Sequence, residues 1–141
     1  MVSRNRSRQQ DYLNRREAVE SRTAADARGQ AEQATATWKK ERNVSGAKLG
    51  VKQPLGPLTA EFLEQYAEIA SPNDAHRLGA KHLAQSQYRQ GLVVIGQSDY
   101  REICVSPGSD VVYVIDGSEK DFPPEDNYPS VYHLLLDYAQ A

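Results

Sequence analysis

Residues 91–115, GLVVIGQSDYREICVSPGSDVVYVI, limit what this chain can fold into more than any other part of it. Three short runs rich in β-branched residues are separated by turn chemistry, which is the pattern of consecutive strands rather than of a helix. Residues 92–95 are continuously apolar, as in a central strand, and residues 96–100 turn the chain. Arg101–Val105 alternates, with Ile103 and Val105 on one face and Glu102 and Cys104 on the other. Ser106-Pro107-Gly108 places Pro and Gly at the central positions of a type II turn, and residues 111–115 form the third strand. Connections this short imply an antiparallel meander.

Helical patterns flank the meander. Thr59 is expected to cap a helix with Glu61 in its first turn, Leu58 and Leu63 forming a hydrophobic staple, and Phe62, Leu63, Tyr66, Ile69 and Ala70 sharing one face. Ser71-Pro72 stops it. A second helix is expected over residues 74–89, carrying Leu78, Leu83 and Tyr88 and ending at Gly91. Beyond the meander, residues 116–129 read as a long acidic loop with three prolines, after which Ser130 caps a closing helix striped by Val131, Leu134, Leu135 and Tyr138. The expected class is therefore α+β: two N-terminal helices, a small antiparallel β-meander and a C-terminal helix, preceded by a basic helical arm.

That arm follows from the charge distribution. Residues 1–45 carry ten Lys/Arg against six acids, whereas residues 46–141 carry seven against thirteen. The division expected from this is a basic, Ala-rich, helical or partly disordered arm over 1–45, a Gly/Pro linker over 46–57, and an acidic domain over 58–141. Within the arm, Ala24, Ala27, Ala31, Ala34 and Trp38 recur at the helical spacing of a seam. Alanine buries little area, so such a seam permits close approach of another helix rather than driving it. The arm can be read as a solvated helix, as a self-associating or partner-binding helix over 11–42, or as a nucleic-acid contact. Glu17, Glu20, Asp26, Glu32 and Glu41 oppose the last, since acids along a helix repel phosphate.

Catalytic and metal-binding chemistry finds little support. Cys104 sits mid-strand between Ile103 and Val105, the setting of a small buried hydrophobe, and no neighbour in sequence activates it. His76 and His82 are six residues apart and His133 is remote, unlike the i, i+4 pair that binds zinc. There is no phosphate-binding glycine loop, and Gly96-Gln97-Ser98-Asp99-Tyr100 lacks the second glycine of a nucleophile elbow. No enzyme activity, cofactor or metal is expected. A single cysteine excludes an intramolecular disulfide and suits a reducing compartment. No apolar run approaches the roughly 18–20 residues a membrane span needs, and the basic N-terminus lacks a signal-peptide core, so a cytoplasmic location is expected.

From residue 91 onward nine acids face only Arg101 and Lys120. Asp99, Glu102, Asp116, Glu119, Asp121, Glu125 and Asp126 are the expected contact set for a basic protein partner, because such a surface attracts and steers basic proteins.

Five segments carry a family resemblance. Pro57-Leu58-Thr59-Ala60-Glu61-Phe62-Leu63 resembles the opening helix of SUKH-superfamily domains, the group containing Smi/Knr-type cell-wall regulators and many bacterial toxin-immunity proteins. Gly91-Leu92-Val93-Val94-Ile95-Gly96 resembles their apolar strand ending in Ile-Gly. Glu102-Ile103-Cys104-Val105, Val112-Tyr113-Val114-Ile115-Asp116 and Tyr128-Pro129-Ser130-Val131-Tyr132-His133-Leu134-Leu135 resemble the later strands and the closing helix. The order of pieces matches over about 57–141, with the arm outside it. The resemblance implies a non-enzymatic protein-binding domain, in bacteria typically one that neutralises a cognate toxin, often a basic nuclease. The other expectation, from a different class, is a structural or assembly protein, for example of a phage particle, that associates through its N-terminal helix.

Overall fold

The computed structural model describes residues 4–43, 54–86, 91–116 and 126–140. In chain order the elements are α1 (Arg4–Glu20), α2 (Ala24–Ala34), β1 (Lys39–Arg42), α3 (Pro57–Gln65), β2 (Tyr66–Ala70), β3 (His76–Leu78), β4 (Ala84–Gln85), β5 (Val93–Ser98), β6 (Arg101–Val105), β7 (Val112–Asp116), β8 (Asp126–Tyr128) and α4 (Val131–Gln140). The class is α+β. One antiparallel sheet runs in the order β1-β2-β3-β5-β6-β7-β8, and β4 pairs with β5 beyond the end of β3.

The expected meander is β5, β6 and β7, with β5 longer than its apolar run. Gly96, Gln97 and Ser98 belong to the strand, not to a turn, and a register shift between Val94 and Gly96 accommodates the extra residue. A Cβ at Gly96 would collide with the Arg77 carbonyl and Leu78 of β3, so this glycine allows close backbone approach. Only Asp99 and Tyr100 remain to turn the chain, with Asp99 at φ +54°. The Pro107-Gly108 turn forms as expected, with Gly108 at φ +74° and the Ser109 N–H on the Ser106 carbonyl at 3.1 Å.

Two expected helices take a different form. The first ends at Gln65, and Tyr66–Ala70 continues as strand β2, paired with β1 on one side and β3 on the other. Its cap also differs. Gly56 is the N-cap and Pro57 opens α3, so Thr59 lies inside the helix. Asp110, from the loop before β7, accepts from the Leu58 and Thr59 N–H groups at 2.9 and 3.1 Å and does the capping from a distance in sequence. In place of the helix expected over 74–89 the chain forms β3, a 3₁₀ turn at Ala80–His82, and β4, all along one edge of β5. Residues 87–90, with Tyr88, lie outside the described residues. Sheet pairing prevails here because the edge of β5 offers backbone partners, while Gly79 in the middle of the segment weakens a helix.

The segment expected to stand apart as an arm contributes to the core. Ala27 and Ala31 are 0% and 2% exposed where α2 packs on α4, and β1 is an edge strand of the sheet. Residues 44–53, most of the expected linker, lie outside the described residues. Ile69, Leu78, Val93, Ile95, Ile103, Val105, Val112 and Val114 meet Phe62, Leu63, Val131, Leu134 and Leu135 in the main core on one face of the sheet. A smaller cluster of Leu92, Val94, Cys104 and Ile115 lies on the other face.

Polar contacts fix the helices on this core. Ser130 caps α4 as expected, accepting the His133 N–H at 3.3 Å. The His133 ring is buried, with Nε2 2.9 Å from the Arg22 carbonyl and Nδ1 2.6 Å from Ser130 Oγ. A carbonyl only accepts, so Nε2 donates to it and, in the neutral ring, Nδ1 accepts from Ser130. This ties the α1–α2 turn to the start of α4. At the other end of α4, Asp137 is 1% exposed and accepts from Arg15 Nε at 2.6 Å and from the Tyr128 hydroxyl at 2.7 Å. Arg16 lies over the Tyr128 ring at 3.7 Å and donates to the Asn127 carbonyl, so α1 also covers the backbone of edge strand β8.

Candidate functional site

The strand directions bring one set of termini together. The start of β1, the end of β2, the starts of β3 and β6, the ends of β5 and β7 and the start of β8 all lie at the same end of the sheet. Lys39, Asp74, Asp99, Arg101, Asp116 and Asp126 occur at these termini or in the turns joining them, four carboxylates and two cations. Lys39 pairs with Asp74 at 3.3 Å and Arg101 with Asp126 at 3.5 Å, and at this end the carboxylates outnumber the cations among the described residues. Asp126 also accepts from the Tyr12 hydroxyl at 2.8 Å, and burial, then Asp126 itself, pushes that hydroxyl up to about 12.

Of the expected contact set, the structure thus brings Asp99, Asp116 and Asp126 to one end and sends Glu102 elsewhere. Strand alternation puts Glu102 on the opposite face from Arg101, where it accepts from Ser86 Oγ at 3.0 Å. Glu119, Asp121 and Glu125 lie outside the described residues. Of the expected association seam, Ala27 and Ala31 are consumed by α4, Trp38 is 8% exposed, and Ala24 and Ala34 are half-buried. The seam is real, but its partner is α4 of the same chain.

Aromatic residues that the sequence did not group converge at the same end. Tyr100, at the tip of the β5–β6 turn, is 76% exposed. The Asp99 N–H donates to the Ala75 carbonyl at 2.8 Å, which holds this tip against the β2–β3 turn. Behind that turn a pocket of about 370 Å³ is lined by Trp38, His76 and Tyr138, by Ser71 and Asn73 of the β2–β3 turn, and by Ala34 and Ala139 at the ends of α2 and α4. His76 stacks on Tyr138 with ring centroids 4.4 Å apart, and Trp38 lies 6.1 Å from His76 at an interplanar angle of 16°. Burial holds the His76 imidazole below its usual value, against the pull of Asp99, so the ring is neutral at pH 7. A wider depression of about 520 Å³ beside Tyr12, Leu13, Arg16 and Asp126 extends this surface along α1, where Leu13 is 56% exposed.

Two serine–histidine pairs resemble nucleophile and base, and neither is arranged for acyl transfer. His76 Nδ1 is 2.8 Å from Ser98 Oγ, but Ser98 is 0% exposed and shares its hydroxyl with Tyr138. Ser130 is likewise buried, and its partner His133 already donates to the Arg22 carbonyl. An electrophile cannot reach either oxygen. Burial and Glu102 push the Cys104 thiol up to about 12, which leaves it protonated and unreactive in the fold. Among the described residues no group of three His, Cys, Asp or Glu side chains is placed to hold a metal, and no helix is long and apolar enough to cross a membrane. Comparison with protein-family models, with curated proteins and with solved structures finds no match for this chain.

Proposed function

We propose that this chain is a non-enzymatic protein-binding module that presents the strand-end surface to a basic partner. The narrower form of the proposal is an immunity protein that covers a basic toxin such as a nuclease. Tyr100 is the observation that carries the reading: a tyrosine 76% exposed on a two-residue turn, next to Asp99. A large aromatic held on a hairpin reaches a partner's pocket at little entropic cost, and tyrosine is enriched among residues that dominate interface energies. The carboxylate excess beside it favours capture of a positively charged protein. The immunity form rests on the resemblance of residues 57–141 to SUKH domains and agrees with the sign of the charge.

The assembly reading asks α2 to offer its alanines to another copy or a host complex. Ala27 and Ala31 are already buried where α2 packs on α4, so association through them requires α2 to leave its place.

A photo-crosslinking amino acid in place of Tyr100, compared with one in place of the exposed Glu64 on α3, tests the reading in cells. A discrete crosslinked species from position 100 alone, whose yield falls with rising salt in extracts, is the expected result. Equal crosslinking from both positions, or none from position 100, refutes the assignment of this surface.

A further inference from the structure

Taking the strand-end surface as the binding face, we infer that the pocket between Trp38, His76 and Tyr138 receives an arginine side chain of the partner protein. Four features of the pocket point to a planar cation. Three aromatic residues, Trp38, His76 and Tyr138, line it, and the face of such a ring attracts a cation without carrying formal charge. None of the side chains lining it is charged, since His76 is neutral, so a guanidinium meets no cation inside. Two helices end at it, with Ala34 of α2 and Tyr138 and Ala139 of α4 in its lining, and helix C-termini carry partial negative charge.

The fourth feature is that neither helix has a basic residue in its last turn. Lys40 compensates α2 in part by donating to the Thr35 carbonyl at 2.8 Å. Around the rim, Lys39 pairs with Asp74 and Arg101 with Asp126, while Asp99 sets a negative charge and Arg101 a positive one near His76. An arginine suits these walls better than a lysine. Its guanidinium is flat, weakly hydrated and stacks on rings, while its five N–H groups can serve several carbonyls at once.

Trp38 is the chain's single tryptophan, so the pocket carries its own reporter. The experiment titrates the full chain with acetyl-Gly-Arg-Gly-amide and, separately, with the same peptide carrying norleucine in place of arginine, following tryptophan emission. A saturable change with the arginine peptide and none with the norleucine peptide is expected. Tyr138→Leu should weaken arginine-peptide binding by about fivefold, whereas Tyr138→Phe, which keeps the ring, should bind within about twofold of the parent. Equal response to both peptides makes the pocket a merely apolar cleft and overturns the inference, and so does the absence of any saturable response. These outcomes are separable from failure of the surface assignment. Crosslinking at position 100 can persist while the peptide is inert, which sinks the pocket alone, and peptide binding without crosslinking sinks the surface alone.

Discussion

Ala27→Leu is the perturbation that most directly separates a folded α2 from one kept free for association. Ala27 is 0% exposed, and α2 reaches α4 closely because its facing residues, Ala27 and Ala31, are small. Leucine adds three carbons where no space is open to solvent. Forcing extra methylenes into a filled interface costs about 1–3 kcal/mol, and the slightly lower helix propensity of Leu relative to Ala, roughly 0.2 kcal/mol, adds to that cost. A loss near 2 kcal/mol lowers the melting temperature by roughly 6–10 °C for a domain of this size. The half-buried Ala24 is the internal control, and its replacement by leucine should fall within about 0.5 kcal/mol of the parent. Thermal unfolding followed by circular dichroism, with light scattering on the same samples, measures both stability and mass. On a seam reserved for another copy, leucine would enlarge the association interface without touching the monomer core. An unchanged melting temperature together with a larger oligomer would therefore refute the packing of α2 on α4.

Asp137→Asn should release α1 at a cost of about 2–4 kcal/mol, because Arg15 and Arg16 lose a buried charge partner; faster tryptic cleavage after these arginines is the readout, and unchanged cleavage contradicts the role given to Asp137. Asp99→Gly should raise stability by about 0.5–1 kcal/mol, since aspartate there occupies the left-handed region at φ +54°, yet it should slow capture of a basic partner; a destabilised protein would show that the Asp99 side chain holds the turn. Burial pushes the Glu68 carboxyl up, but hydrogen bonds from His82 and Lys81 outweigh it and hold the group below its ordinary 4.5. A folded-state value below the unfolded one contributes stability that is present above about pH 4.5 and lost as pH falls through the folded value. Glu68→Gln should accordingly flatten the acid limb of a stability–pH curve, and an unaltered limb would remove Glu68 from the account.

What the sequence disclosed followed local period, and what it concealed depended on partners distant in the chain. The meander was legible because Ile103 and Val105 alternate with Glu102 and Cys104, and because Pro107-Gly108 suits one turn type. The closing helix was legible from its cap and stripe. Tyr66, Ile69 and Ala70 satisfy a helical face as well as a strand, and the strand prevails because β1 and β3 flank it. Nothing local announces β1. Its four residues, Lys39–Arg42, are all exposed and charged, as befits an edge strand that must not pair with other molecules. The alanine seam was visible at its helical spacing, but α4 as its partner was not. Among the candidate acids, composition found Asp99, Asp116 and Asp126, while the alternation around Ile103 already implied that Glu102 faces away. The convergence of Trp38, His76 and Tyr138 had no sequence signal, since three separate segments meet only through the sheet and the α2–α4 contact.

That last dependence joins folding to the proposed function. Ala34 enters the pocket because α2 is seated on α4, and Ala139 enters because α4 is held by Ser130 at one end and Asp137 at the other. The Asp99–Tyr100 turn depends on neither, since β5, β6 and the Ala75 carbonyl hold it. The two halves of the surface therefore have separable stabilities. Loosening α2 by Ala27→Leu should remove arginine-peptide binding at temperatures where crosslinking from position 100 still proceeds. Conversely, a partner that fills the pocket binds only the seated form, so it must raise the free energy of undocking α2 by RT ln(1 + [L]/Kd). Slower hydrogen exchange in Ala24–Ala34 on adding the arginine peptide, with no change in β5 and β6, is the signature of that coupling. Protection spread evenly over both would mean that the chain opens as one unit and that the pocket and the hairpin are not independent.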